Sequence, residues 1–276
     1  MQKELIVGTW EGYTQMGDIR LRLFTVPVRF QDGSNSTARA VCMVRRCGMS
    51  FEEMINMIVC GDALNLIKEI PDGGIDCIIT DPPYGLDSVG IRNDADLSLF
   101  YNLLPEFYRV LKKDSFFLTF FSTKYLPLVF QNNPFSYFWQ IILYCPHGAV
   151  SSPIGYTKFM SCMVFKKGHP TVVCRNKDIF QDTPGRAIEP DEGYIDHPAP
   201  KPKAFIQELL WMFTRENDIV LDPLAGAGAT LVACKRTGRQ YIGFEIEEKY
   251  CQITRQRLCK FGSDRTESQR NLFSKT

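Results

Sequence analysis

The sequence predicts an α/β fold in which a mostly parallel, doubly wound sheet is covered by helices on both faces. Three observations support this fold class. From residue 55 onwards, short apolar segments alternate with amphipathic ones, as in a parallel sheet with crossover helices. Two apolar segments end in Asp-Pro, at Asp81 and at Asp222. The second is followed by a glycine-rich turn and a helix, a pattern typical of nucleotide-cofactor sites.

The strands are predicted from apolar runs that end at turn residues. Ile78 and Ile79 are β-branched and suit the pleated surface of a buried strand. The predicted strands are 57–60, 75–80, 116–121, 137–144, 160–166, 219–221 and 241–244. We expect 137–144 and 160–166 to form an antiparallel pair at one edge of the sheet, so that the sheet carries an antiparallel edge strand.

The helices are predicted near 63–69, 97–112, 202–214 and 230–237. The second of these has an apolar face, which would pack on the sheet. Its members are Leu99, Leu103, Phe107 and Val110. Residues 168–198 are rich in proline and charge and are predicted to be irregular.

The segment Asp81-Pro82-Pro83-Tyr84 predicts a stiff turn at the carboxyl end of a strand. Pro82 cannot continue a strand ladder, and Pro83 restricts Pro82 in turn. The turn holds a carboxylate, a carbonyl and an aromatic ring at the sheet edge where ligands bind. Two acceptors and a ring suit a planar ligand with an amino group, such as adenine or cytosine. The acceptors would draw that amine towards tetrahedral geometry and free its lone pair for direct methyl transfer. An ordinary proline-rich turn would also fit the tetrapeptide alone.

Residues 218–230 read as a strand, a glycine turn and the start of a helix. Small residues in the turn let a ligand approach the backbone, and glycine tolerates positive φ. Backbone amides at the following helix N-terminus suit a nucleotide cofactor. The candidate cofactor contacts here are Asp222, Pro223, Ala225, Gly226, Gly228 and Thr230. A plain strand–helix turn is the structural alternative.

The strand at 241–244 ends at Glu245. An acidic residue there, roughly 20 residues after the glycine turn, suits the two hydroxyls of a ribose. Glu245 alone would also fit a solvated acid at a helix start, beside Glu247 and Glu248.

Together these constellations resemble the amino-group DNA methyltransferases that use S-adenosylmethionine. Because Asp81 precedes the glycine turn, the order resembles the circularly permuted β class of that family. The resemblance covers residues 54–261. Its further matching segments are 59–64, 110–115, 197–202 and 239–245, with Tyr250.

The resemblance implies a Rossmann-like methyltransferase fold in permuted order, with S-adenosylmethionine as cofactor. It implies double-stranded DNA as substrate, with the target base flipped out and stacked on an aromatic ring. The implied catalytic residues are Asp81, Pro82 and Tyr84. To the cofactor contacts it adds Asp62 at the adenine and Lys201 in the segment at the methionine end. It places a short target-recognition region at 168–198.

Five residues depart from the family pattern. Leu224 stands where family members usually carry Phe, and Ala227 and Ala229 stand where they carry Ser and Thr. Two side-chain hydroxyls near the cofactor are therefore missing, which bears on affinity. Ala199 and Pro200 stand where the family usually has a Thr-Gln pair.

Asp at the first position of the tetrapeptide is commoner in the adenine members of the family, which implies N6-adenine methylation. N4-cytosine methylation stays open because both bases offer the same amine geometry. A cytosine-ring enzyme is disfavoured because its usual Pro-Cys dipeptide is absent from the sequence. A decayed nucleic-acid-binding module, and transfer to RNA or another amine, also stay open.

A net charge of +1 is too small to attract nucleic acid by itself, so binding to phosphate groups would need a local basic face. Candidates, each with a solvated surface as alternative, are Lys166, Lys167, His169, Arg175 and Lys177. A further candidate cluster, for which a solvated surface is the favoured alternative, comprises Arg255, Arg257, Lys260, Arg265 and Arg270.

The 10 cysteines form no Cys-x-x-Cys pair, and with 3 histidines no metal-ligand set is predicted. No signal peptide or membrane-spanning apolar run is apparent, so a reduced, cytoplasmic protein without a membrane partner is expected. A homodimer stays open.

Residues 1–52 are predicted as an N-terminal extension of uncertain structure, before a methyltransferase domain at 53–276. Residues 21–30 alternate like a strand, and 40–44 would form a second one. A small β appendage, a disordered segment, and translated sequence upstream of a later start all fit.

Overall fold

The computed structural model describes residues 9–16, 19–29, 35–45, 49–83, 96–146, 150–152, 154–181, 188–189, 193–194 and 201–260. The chain divides into two units, Met1–Ser50 and Phe51–Thr276. Among the described residues, no helix combines the length and the apolar character needed to cross a bilayer.

The first unit contains a three-stranded antiparallel sheet in the order β1-β2-β3. Its strands are β1 (Thr9–Met16), β2 (Ile19–Arg29) and β3 (Asn35–Arg45). β2 and β3 overlap the two segments in which alternation predicts strands, and β1 is an additional strand.

The second unit is built around an eight-stranded sheet in the order β11-β7-β10-β6-β5-β14-β15-β4. Two short hairpins, β8-β9 and β12-β13, accompany it. The strands are β4 (Met57–Cys60), β5 (Ile75–Thr80), β6 (Leu111–Phe121), β7 (Ser136–Tyr144), β8 (Val150–Ser152), β9 (Gly155–Thr157), β10 (Phe159–Lys167), β11 (Ile179–Gln181), β12 (Ile188–Glu189), β13 (Gly193–Tyr194), β14 (Ile219–Asp222) and β15 (Gln240–Glu245).

The sheet is mostly parallel, as the sequence predicts. Five strands, from β6 through β5, β14 and β15 to β4, run parallel to one another. β10 is the reversed strand and pairs antiparallel with both β6 and β7. β10 is the third strand from one end of the sheet. The edge strand there is β11, a strand of three residues that pairs in parallel with β7. A strand of three residues in a polar segment is too short for periodicity to reveal.

The helices of the second unit match the predicted alternation. They are α1 (Phe51–Met54), α2 (Ala63–Leu66), α3 (Ser98–Val110), α4 (Lys203–Phe213), α5 (Ala229–Arg236) and α6 (Glu248–Lys260), with 3-10 helices at Ile67–Glu69 and Thr123–Phe130. On α3, Leu103, Phe107 and Val110 are buried as predicted. Leu99 is only half-buried, and Phe100 takes the predicted core position beside it.

The central strands are buried on both faces, which explains their continuous apolar sequence. Ile78 and Ile79 point to opposite faces of β5, and both are fully buried. On β6, Leu118 and Phe120 belong to the same core as Phe205 of α4. The core therefore fixes the carboxyl ends of β5 and β14 next to each other.

Candidate active site

Four neighbouring parallel strands each carry an acidic residue at or just after their carboxyl ends. Asp81 follows β5, Asp222 ends β14, Glu245 ends β15, and Asp62 lies two residues after β4. Because these strands are adjacent and parallel, the four carboxyl groups lie along one edge of the sheet. The fold therefore brings together four of the residues that the sequence singles out. When ionised, these carboxylates favour a cationic ligand.

Asp81 is held by an ion pair with Lys201 at this edge. The Nζ of Lys201 donates a hydrogen bond to Oδ2 of Asp81, and it lies 5.5 Å from the centre of the Phe120 ring. The side chain of Lys201 is 12% exposed and that of Asp81 is 28% exposed, so the pair is shielded but reachable. Pro82 is buried. Tyr84, the predicted stacking residue, lies outside the described residues.

The glycine turn has the strand–turn–helix form that the sequence predicts. β14 ends at Asp222, and α5 begins at Ala229. Gly226 and Gly228 have φ of 51° and 76°, in the left-handed region that favours glycine. A Cβ added at Gly228 would lie 2.4 Å from Cγ2 of Thr254, so a side chain is also excluded by packing.

Helix α6 clamps the outer side of this turn. Thr254 donates from Oγ1 to the carbonyl oxygen of Gly226 at 3.1 Å. Arg257 donates from Nη1 to the carbonyl oxygen of Ala227. Arg257 is 4% exposed, so its prediction as part of a solvated basic surface is wrong. Arg257 is buried because its guanidinium binds the turn. Thr254 and Arg257 are spaced i, i+3 on α6 and so share one face of the helix, which is a signal for this contact in the sequence.

Glu245 binds the inner side of the same turn. Its Oε2 accepts a hydrogen bond from the amide of Gly226 at 2.9 Å, and its Oε1 accepts one from Glu247 at 2.8 Å. Burial raises the pKa of this carboxyl, while these backbone hydrogen bonds lower it. A carboxylate offers about four lone-pair sites, so both oxygens can still accept from a ligand.

Asp222 is the most deeply buried acid at this edge, at 5% exposed. Burial raises its pKa to about 7, and the charges of Asp81 and Glu245 add to the rise. Hydrogen bonds from the Thr230 side chain and the Leu224 amide oppose it. Thr230 is itself buried, so in this structure it orients Asp222.

Asp62 has a different setting, since it is exposed and caps α2. Its Oδ1 accepts a hydrogen bond from the amide of Leu64 at 2.8 Å. This bond fixes the carboxylate at the end of β4 while leaving it open to solvent. The amide of Gly61 donates a hydrogen bond to the carbonyl oxygen of Glu245 at 2.8 Å, which connects the segment after β4 to the end of β15.

The predicted basic face is only partly available. Lys167 donates from Nζ to the carbonyl oxygens of Tyr108 and Leu111, each at 2.6 Å, and burial lowers its pKa. It therefore binds α3 to β10. Arg175 and Lys177 are exposed, and Lys177 lies over the Phe180 ring at 5.2 Å.

Comparison with known proteins identifies related sequences. A family model described as DNA methylase, of the N6/N4 type, matches residues 132–256. The methylase YubD of Escherichia coli (strain K12) is 32% identical over 209 residues, covering 72% of this chain and 88% of YubD. The type II methyltransferase M.HpaI of Haemophilus parainfluenzae is 26% identical, covering 74% of each chain. The DNA adenine methyltransferase YhdJ of Escherichia coli (strain K12) is 27% identical, covering 73% of this chain and 82% of YhdJ.

Solved structures share the fold. The PvuII DNA methyltransferase, described as cytosine-N4-specific, superposes with a TM-score of 0.62 at 18% identity, covering 77% of this chain and 88% of its own. The complex of M1.HpyAVI with S-adenosylmethionine gives a TM-score of 0.59 at 23% identity, covering 73% and 98%. At these identities the likeness is one of fold.

Proposed function

The chain belongs to the family of DNA methylases that modify exocyclic amino groups, and on that premise we propose that it methylates N6 of adenine in DNA with S-adenosylmethionine. The observation that carries the proposal is the adjacency of two turns. β5 and β14 are paired in parallel, with Ile78 opposite Leu221. The Asp81 turn and the glycine turn therefore lie side by side at one edge of the sheet.

The residues at this edge fit S-adenosylmethionine chemically. When bound, this cofactor supplies a methyl group on a positively charged sulfonium. The carboxylates of Asp222 and Glu245 favour positive charge, and the narrow turn at Gly226 and Gly228 lets a ligand approach the backbone. In the proposal, Glu245 accepts from the ribose hydroxyls and Asp62 binds the adenine. Lys201 is proposed as a contact at the methionine end.

Asp81 is proposed as the acceptor for the target amine. Lys201 holds the carboxylate in place, and the carboxylate keeps lone pairs for an N–H of the base. The carbonyl of Pro82 is the second proposed acceptor, and Tyr84 is the proposed stacking partner of a flipped base. A prepositioned acceptor of this kind acts on the transition state more than on binding.

Adenine is proposed as the target base for two reasons. Asp81 stands at the first position of the Asp-Pro-Pro-Tyr segment, and one relative is named as a DNA adenine methyltransferase. N4-cytosine is the second candidate, because the structural neighbour from PvuII is described as cytosine-N4-specific. Residues 168–198 are the proposed target-recognition region within a methyltransferase domain at 53–276.

Mass spectrometry of nucleosides tests the proposal directly. DNA from cells that express the chain is digested and compared with DNA from cells that express Asp81→Ala. N6-methyldeoxyadenosine that depends on Asp81 is expected. N4-methyldeoxycytidine in its place would reject adenine and retain the chemistry. Neither product, with confirmed cofactor binding and a range of DNA sequences supplied, would reject DNA amine methylation.

A further inference from the structure

A second cluster of reactive side chains lies behind the cofactor edge, between β4 and α6. Cys60 is the last residue of β4, and Glu248 and Cys251 lie at the start of α6. The two thiol sulfurs and a carboxylate oxygen of Glu248 all lie within 4.8 Å of one another. The sequence reasoning missed this set because the cysteines are far apart in the chain and form no Cys-x-x-Cys pair.

The fold explains why these atoms meet. β4 pairs in parallel with β15, with Cys60 opposite Glu245. α6 begins three residues after β15 ends, so its first turns are carried back over the end of β4. Glu248 and Cys251 are spaced i, i+3 and therefore share one face of the helix.

Two thiols and a carboxylate match the ligand preferences of zinc and similar cations. Zinc binds thiolate sulfur at about 2.3 Å and carboxylate oxygen at about 2.0–2.2 Å, usually in tetrahedral geometry. Two sulfurs on one such ion are about 3.8 Å apart. Small side-chain rotations would bring the present cluster to that spacing, with a water molecule as the fourth ligand.

Neighbouring groups hold the donors in place. Arg255 donates from Nη1 to Oε1 of Glu248 at 3.1 Å, and Gln252 donates to the same oxygen at 3.4 Å. Partners of this kind orient the ligands of metal sites. Cys60 and Glu248 are half-buried, which leaves a path from solvent to buried Cys251.

We propose that Cys60, Glu248 and Cys251 form a binding site for a soft divalent cation of the Zn²⁺ type. Binding forms two metal–sulfur bonds and one metal–oxygen bond and releases two thiol protons to solvent. The cation then links the end of β4, two residues before Asp62, to the start of α6, three residues after Glu245. It has a structural role and takes no part in methyl transfer.

Cobalt binding to the reduced, metal-free full chain tests the site. Wild type should take up one more equivalent of Co²⁺ than Cys60→Ser or Cys251→Ser, with thiolate-to-cobalt absorption and release of two protons. Added Zn²⁺ should displace the cobalt. Glu248→Gln should weaken binding at least about tenfold and keeps the test valid if a cysteine variant fails to fold. Cys259→Ser, at an exposed cysteine on the same helix, is the matched control and should behave as wild type.

Two results would overturn the proposal. One is equal cobalt uptake and absorption in wild type, Cys60→Ser and Glu248→Gln. The other is the absence of thiolate absorption with cobalt, while diamide joins Cys60 to Cys251 in a disulfide. The second result would identify a redox pair.

Discussion

Cofactor affinity is expected to rise with pH around neutrality because of Asp222. Burial raises the pKa of this carboxyl to about 7, so it is partly protonated in the free protein at neutral pH. The positive groups of S-adenosylmethionine favour its ionised form. Binding should therefore release a proton from Asp222, and protonation should oppose binding.

The size of the effect follows from the pKa. If only the ionised form binds, about 9% of the protein is competent at pH 6 and about 91% at pH 8. The dissociation constant for S-adenosylmethionine should then be about tenfold larger at pH 6 than at pH 8. Isothermal titration calorimetry at pH 6, 7 and 8, in buffers with different ionisation enthalpies, measures both the affinity and the protons released. Asp222→Asn should bind with little pH dependence over this range.

Asp218→Asn is the matched control for this experiment. Burial also raises the pKa of Asp218, but this residue precedes β14 and so lies at the opposite edge of the sheet. Its variant should keep the pH profile of wild type. A wild-type affinity that is constant from pH 6 to pH 8 would exclude this role of Asp222. An Asp222→Asn variant that retains the wild-type pH profile would exclude it equally.

Three further results are expected. Asp81→Ala should lower the methylation rate by about 10²–10³ while cofactor affinity by calorimetry changes only a few-fold, and unchanged turnover would remove Asp81 from catalysis. Gly228→Ala should lower the free energy of unfolding, measured in urea, by more than Gly238→Ala does. Both glycines have φ near 75°, but only at Gly228 does the new Cβ contact Thr254. Equal losses of stability in the two variants would contradict the packing argument. Tyr84→Ala should weaken binding to a methylatable duplex by roughly 1–3 kcal/mol and leave cofactor affinity unchanged, and the loss should shrink at a mismatched target base.

The sequence predicts the sheet well because the information is local. Each parallel strand is a short apolar run, and Pro82 and Pro223 mark where two of them end. The acidic residues at these ends can be placed on one edge once the strands are assumed parallel. Neither step requires knowledge of distant contacts.

Long-range pairing limits the prediction elsewhere. Arginine is usually a surface residue, yet Arg257 is buried because it donates a hydrogen bond to the carbonyl oxygen of Ala227, 30 residues earlier. Lys167 likewise binds carbonyl oxygens of α3 and β6 that are more than 50 residues away. The ion pair of Lys201 with Asp81 joins two predicted site residues that are 120 positions apart in the sequence. Periodicity carries no signal for such contacts.

The clamp on the glycine turn also determines when the site is completed during synthesis. Gly226 and Ala227 are translated before Thr254 and Arg257, the residues that bind their carbonyl oxygens. At about 5–20 residues per second, this gap of 30 positions corresponds to roughly 2–6 s. During that interval a nascent chain has the carboxylate of Asp81 and both strands of the edge, but its turn lacks the helix that shapes it. We therefore expect cofactor capture to be a late step in the maturation of the chain.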